Sequence, residues 1–116
     1  MSILSDFLLL IDPLLGGRAY RNVAPDSAQV PYAVFFRVAE VEGVTLDENG
    51  GTDNEKSTRI QLDIYGAAAD VDAVAASVKD ALKSWAVTNV VLLERDGYEP
   101  EVKLHRTMLD ISAWHQ

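Results

Sequence analysis

One amphipathic stripe limits what this chain can fold into more than any other feature. Val71, Val74, Ala75, Val78, Leu82 and Trp85 recur at i, i+3, i+4, i+7, i+11 and i+14, which places all six on one face of a helix. Such a stripe is stable only against another apolar surface, so the segments on either side of it must supply a sheet. Asp70 reads as its N-cap, and Lys79 and Lys83 lie toward the C-terminal end, where cations suit the helix dipole.

Upstream, Tyr32 to Val41 (YAVFFRVAEV) is rich in β-branched and aromatic residues and reads as a strand with both faces at least partly apolar. Ser57 to Tyr65 alternates, with Thr58, Ile60, Leu62 and Ile64 facing one way and Arg59, Gln61, Asp63 and Tyr65 the other. Between them, the polar stretch 42–56 with Gly50-Gly51 at its centre reads as a long acidic hairpin connection. Downstream, Asn89–Arg95 and Lys103–Trp114 read as two strands joined around Asp96-Gly97, a dipeptide suited to tight turns. The later strand sets Leu109, Ile111 and Ala113 against Met108, Asp110 and Ser112.

A second helical repeat opens the chain. Ile3, Leu4, Phe7, Leu8, Ile11, Leu14 and Leu15 predict a helix from Ser2, as N-cap, to Leu15, ended by Gly16-Gly17. Asp6 and Asp12 interrupt this apolar run, no basic residue precedes it, and it falls short of the roughly 20 residues of a membrane span, so it is expected to be part of the mature fold of a protein made and kept in a cytoplasm. Arg18 to Pro31 reads as a short extended piece and a turn. The sum is an α+β fold in one domain over residues 1–116: a mainly antiparallel β-sheet with an N-terminal helix and a central crossover helix packed on it. A chain of 116 residues builds one core without staples.

The sequence excludes more chemistry than it offers. No cysteine removes disulfides, thiolate metal sites and cysteine nucleophiles. Ten basic against 18 acidic side chains, a formal charge of −8, argue against tight nucleic-acid binding. His105 and His115 lie about 33 Å apart on a straight strand and cannot share a metal. No G-x-S-x-G, H-E-x-x-H or phosphate-loop pattern occurs, and the acids of the 42–56 loop miss the EF-hand register, whose required glycine falls on Thr52 and terminal acid on Thr58. No enzyme activity, cofactor or metal is expected, and no motif supports an acid–base pair such as Asp63 with Asp110.

With Val34, Phe36, Ile60, Leu62 and Ile64 placed under the helices, Phe35, Arg37, Arg59, Asp63 and Tyr65 share the opposite face. Aromatics ringed by Arg and Asp have the composition of an interface. Either a second layer of the same chain covers that face or another subunit does.

Three ordered blocks carry a family resemblance. They are Gly17-Arg18-Ala19-Tyr20 with Val23-Ala24-Pro25 and Val30-Pro31-Tyr32-Ala33-Val34-Phe35-Phe36-Arg37-Val38; Arg59-Ile60-Gln61-Leu62-Asp63-Ile64-Tyr65; and Asp96-Gly97-Tyr98-Glu99-Pro100 with Leu104-His105-Arg106-Thr107-Met108-Leu109-Asp110-Ile111-Ser112-Ala113-Trp114. Together they resemble the tail-completion family of long-tailed bacteriophages and prophages, also called tail-terminator or tail-to-head joining proteins. The resemblance implies an α+β structural protein that forms a ring, commonly a hexamer, on the end of the tail tube. That ring stops polymerisation and meets the head connector, after assembly in the host cytoplasm and without a membrane. Asp47, Glu48, Asp53 and Glu55 then become candidates for a lumen or partner loop, in a ring that DNA passes through without being gripped. Two alternatives remain beside it: a head-closure neck protein, and a small ligand-binding α+β domain using the sheet face around Tyr65 and Arg37.

Overall fold

The computed structural model describes residues 2–42 and 56–116. Helix α1 spans Ile3–Ile11, capped by Ser2, whose hydroxyl accepts from the Ser5 N–H at 3.1 Å. Pro13 then enters a single 3₁₀ turn, Asp12–Leu15, rather than a kinked last turn of α1. Gly16 and Gly17, at φ +59° and +84°, turn the chain through the left-handed region. Five strands follow: β1 Ala19–Arg21, β2 Tyr32–Glu42, β3 Lys56–Gly66, and, after helix α2 Ala68–Ser84, β4 Thr88–Glu99 and β5 Leu104–His115.

The sheet order is β1-β2-β3-β5-β4. All pairings are antiparallel except β1 with β2. Helix α2 leaves β3 and returns the chain to β4 at the far edge, skipping the position that β5 fills; it is the crossover its stripe demands. Val71, Val74, Ala75, Val78 and Leu82 are buried. From α1, Ile3, Leu4, Phe7 and Ile11 join them over Ala33, Phe35, Ile60, Leu62, Ile64, Leu109, Ile111 and Ala113. Phe7 meets the Phe35 ring edge-on at 5.4 Å and lies 6.0 Å from Trp85.

Besides the end of α1, at Ile11 instead of Leu15, two boundaries differ from the sequence reading. Helix α2 starts with Ala67 as N-cap, without a side-chain cap, so Asp70 sits inside the first turn. Ala68 and Ala69 are strong helix formers and carry the helix back past the polar residue. Asp96 and Gly97 do not form the turn between the last strands. They stay in β4 opposite Thr107 and Arg106, and Asp96 accepts a 3.0 Å bond from the Thr107 hydroxyl. The chain reverses at 100–103 instead, where Pro100 ends the strand and Lys103 takes a positive φ of 56°.

Candidate assembly interface

Both helices pack on one side of the sheet. Cross-strand partners share a face, so the register identifies what lies on the other. Tyr32 opposes Tyr65, which opposes Arg106; Val34 opposes Asp63, then Met108, then Arg95; Phe36 opposes Gln61, then Asp110, then Leu93. Tyr20 on β1 joins this face beside Val34.

This placement corrects the grouping of Phe35, Arg37, Arg59, Asp63 and Tyr65. Phe35 opposes Leu62 on the helix side and is fully buried, while Arg37 opposes Ile60, also on that side. Arg59, Asp63 and Tyr65 lie on the open face. The error is one of parity. Strand β2 is apolar on both faces, so alternation leaves its register with β3 undetermined, and a one-residue slip exchanges every side chain. A bulge at Val38 then changes the parity again, bringing Glu40 onto the helix side opposite Thr58. The face therefore holds Tyr32, Val34 and Phe36, which alternation alone assigned to the core; their signal was the polar set Gln61, Asp63 and Tyr65 they pair with. Arg37 lies 3.9 Å from Glu40, and Arg59 binds Asp110, so the two arginines belong to separate ion pairs. The loop acids Asp47, Glu48, Asp53 and Glu55 lie outside the described residues.

At one end of the open face, the rings of Tyr32 and Tyr65 stack at 5.1 Å, with Tyr20 6.5 Å from Tyr32. They border a groove of about 470 Å³ whose floor includes Val34, Phe36 and Asp63, walled by 22–24 and 99–102. Asp63 is only 6% exposed. Its carboxylate accepts 3.2 Å contacts to both oxygens from the Gln61 amide. Burial is the main reason its pKa is raised, and the Gln61 bond and Arg106 oppose that rise only in part. Arg106 is itself held by Glu99 at 3.1 Å and by the Tyr65 hydroxyl. Nearby, Asp110 Oδ1 is buried without a donor although Oδ2 meets Arg59. Aromatic rings beside nearly buried carboxylates give this sheet face the composition of an interface.

The histidines stand apart, as their spacing required. His105 packs edge-on against Tyr98 at 5.1 Å. His115 Nε2 lies 2.7 Å from Thr58 Oγ1, whose own proton goes to Glu40 at 2.9 Å, so the ring donates to the hydroxyl. No group of three or more His, Asp or Glu side chains able to hold a metal occurs among the described residues. No helix among them is long and apolar enough to cross a membrane.

Comparison with known proteins decides the family. The family model described as "Tail completion protein gp17" matches residues 11–116. The chain belongs to that family. This tail-completion protein also shares its fold with a chain of a solved structure titled "Virion of native gene transfer agent (GTA) particle": 18% identity, TM-score 0.69, covering 97% of this chain and 93% of that one. No curated protein sequence matches it significantly.

Proposed function

We propose that this tail-completion protein is a non-enzymatic ring subunit. Copies of it close, as a hexamer, on the end of the tail tube, stop its polymerisation and present a surface to the head connector. Assembly takes place in the host cytoplasm, and the ring ends in the virion's tail and neck. The observation that carries this reading is the open face: Tyr32, Val34, Phe36, Tyr65 and Met108 share a sheet surface that both helices leave bare. Association would bury it, with aromatic side chains as the dominant anchors. Heterologous contacts that close give rings.

The acidic surplus suits a pore. Like charge repels the phosphate backbone, so a ring carrying it lets DNA slide rather than bind. Asp47, Glu48, Asp53 and Glu55 are the proposed lumen or partner residues; exchanging all four for Lys slows DNA passage if they line the channel, and normal infection by that variant removes them from this role. Negative-stain microscopy of the purified chain, alone and with tail tubes, tests the ring itself. Closed rings on tube ends support it; uncapped tubes in the presence of excess protein contradict it.

A further inference from the structure

The groove on the open face has a chemistry that its own subunit does not complete. Asp63 lies at its floor with no cation in ion-pair contact among the described residues, although a buried carboxylate is costly without one. With partners among the described residues, seven of the ten bases are engaged: Arg37, Lys56, Arg59, Lys79, Lys83 and Arg106 in ion pairs, and Arg18 on the Pro31 carbonyl. Of the other three, only Arg95 lies within a strand that has exposed apolar neighbours: Leu92 is 51% and Leu93 42% exposed. That strand, β4, is the longer of the two edge strands of the sheet, the other being the three-residue β1. Its outer backbone groups are open to a neighbour, and the bulge at Leu92 and the charges at 94–96 protect it only in part. Within one subunit Arg95 is kept from Asp63 by Met108, which stands between them in the same cross-strand row.

We propose that the β4 edge of a second copy seats on this groove, with Leu93 on Phe36 and Arg95 on Asp63. The spacing agrees. Leu93 and Arg95 are two residues apart on one face, roughly 7 Å, and Phe36 and Asp63 are offset by the same two residues across the β2–β3 pair, since Phe36 opposes Gln61. The guanidinium supplies the ion-pair partner that Asp63, bonded only by the neutral Gln61 amide, lacks among the described residues, and a planar fork suits a carboxylate beside a stacked-tyrosine wall. The contact is heterologous, groove to edge, so each copy offers both halves, and a rotation that closes turns the chain of contacts into a ring. This inference rests on the ring reading above and names the contact within it.

The test is the association of the full chain, followed by light scattering and sedimentation across a dilution series, for wild type, Arg95→Glu, Arg21→Glu and Asp63→Asn. Circular dichroism confirms that each is folded; Arg95 and Arg21 are exposed, and neither change disturbs the core. Arg95→Glu is expected to weaken association by about 30-fold or more, as for a buried charge pair broken on one side. Arg21→Glu leaves it unchanged, and Asp63→Asn combined with Arg95→Glu weakens it less than the two separate losses multiplied. Wild-type association that Arg95→Glu does not alter overturns this contact and leaves the ring standing. A wild type that stays monomeric at the highest soluble concentration and does not cap tubes overturns both.

Discussion

On the helix side of the sheet, Phe35, Ile60, Leu62, Ile64, Leu109 and Ile111 are fully buried and carry no polar atom in their side chains. On the other side the same strands present Phe36, Gln61, Asp63, Tyr65, Met108 and Asp110. The first surface is finished by its own chain. The second has large rings and nearly buried carboxylates but no layer over it among the described residues, the composition of a contact surface. The contrast separates a face that carries stability from the face proposed for assembly, and adjacent residues of β2 sit on opposite sides of that division.

Phe35 and Phe36 therefore separate the two roles most sharply. Phe35→Ser removes a ring packed against Phe7 and leaves a hydroxyl in an apolar cavity, a loss of about 4 kcal/mol, comparable to the whole stability of a small domain. Thermal denaturation by circular dichroism should show a variant largely unfolded at 37 °C or one melting far below wild type. Phe36→Ser changes a half-buried side chain on the open face. It is expected to melt within a few degrees of wild type and to lose association.

Asp63 sharpens the comparison in the opposite direction. Its folded pKa is raised, so the ionised form is penalised in the protomer: the penalty is absent below the ordinary aspartate value of roughly 4 and complete above the raised one. Asp63→Asn should thus raise the protomer's melting temperature at pH 7, with the gain over wild type vanishing as the pH falls toward 3. A melting series against pH checks it. A group that costs the free subunit stability is what the proposed contact face predicts at this position.

The smallest effect is expected at the far end of the helix side. There the Glu40 carboxylate has its pKa lowered, first by the Thr58 hydroxyl, so its contribution holds above the ordinary glutamate value and is lost as pH falls through the lowered one. Thr58→Val keeps the shape and removes the donor, costing about 1 kcal/mol at neutral pH and less in acid. Urea denaturation at two pH values measures the difference.

Where alternation was one-sided, the sequence already held the fold. Ile60, Leu62 and Ile64, or Leu109, Ile111 and Ala113, have polar neighbours that leave a single choice of face, and the α2 stripe forces a crossover. Strand β1 was legible as a short extended piece after Arg18, but three residues carry no periodicity, and its parallel pairing to β2 is a tertiary contact. The candidate site was legible in its composition but not in its membership. Arg59, Asp63 and Tyr65 follow from β3 alone, whereas Phe35 and Arg37 depended on the register of a strand apolar on both sides, which only cross-strand pairing fixes. The Asp96-Gly97 pair misled for a related reason: it has turn chemistry, but the Thr107 hydroxyl and the continuing ladder hold it in β4.

In the proposed ring, copies meet through the open face and not the helix face. The most direct measurement is the solution mass, by light scattering, of the wild-type chain beside the Phe36→Ser/Tyr65→Ser double variant, both with native circular dichroism. A wild type at a multiple of the protomer mass and a folded variant at the mass of one protomer is the predicted result. An unchanged mass in the folded variant contradicts the account.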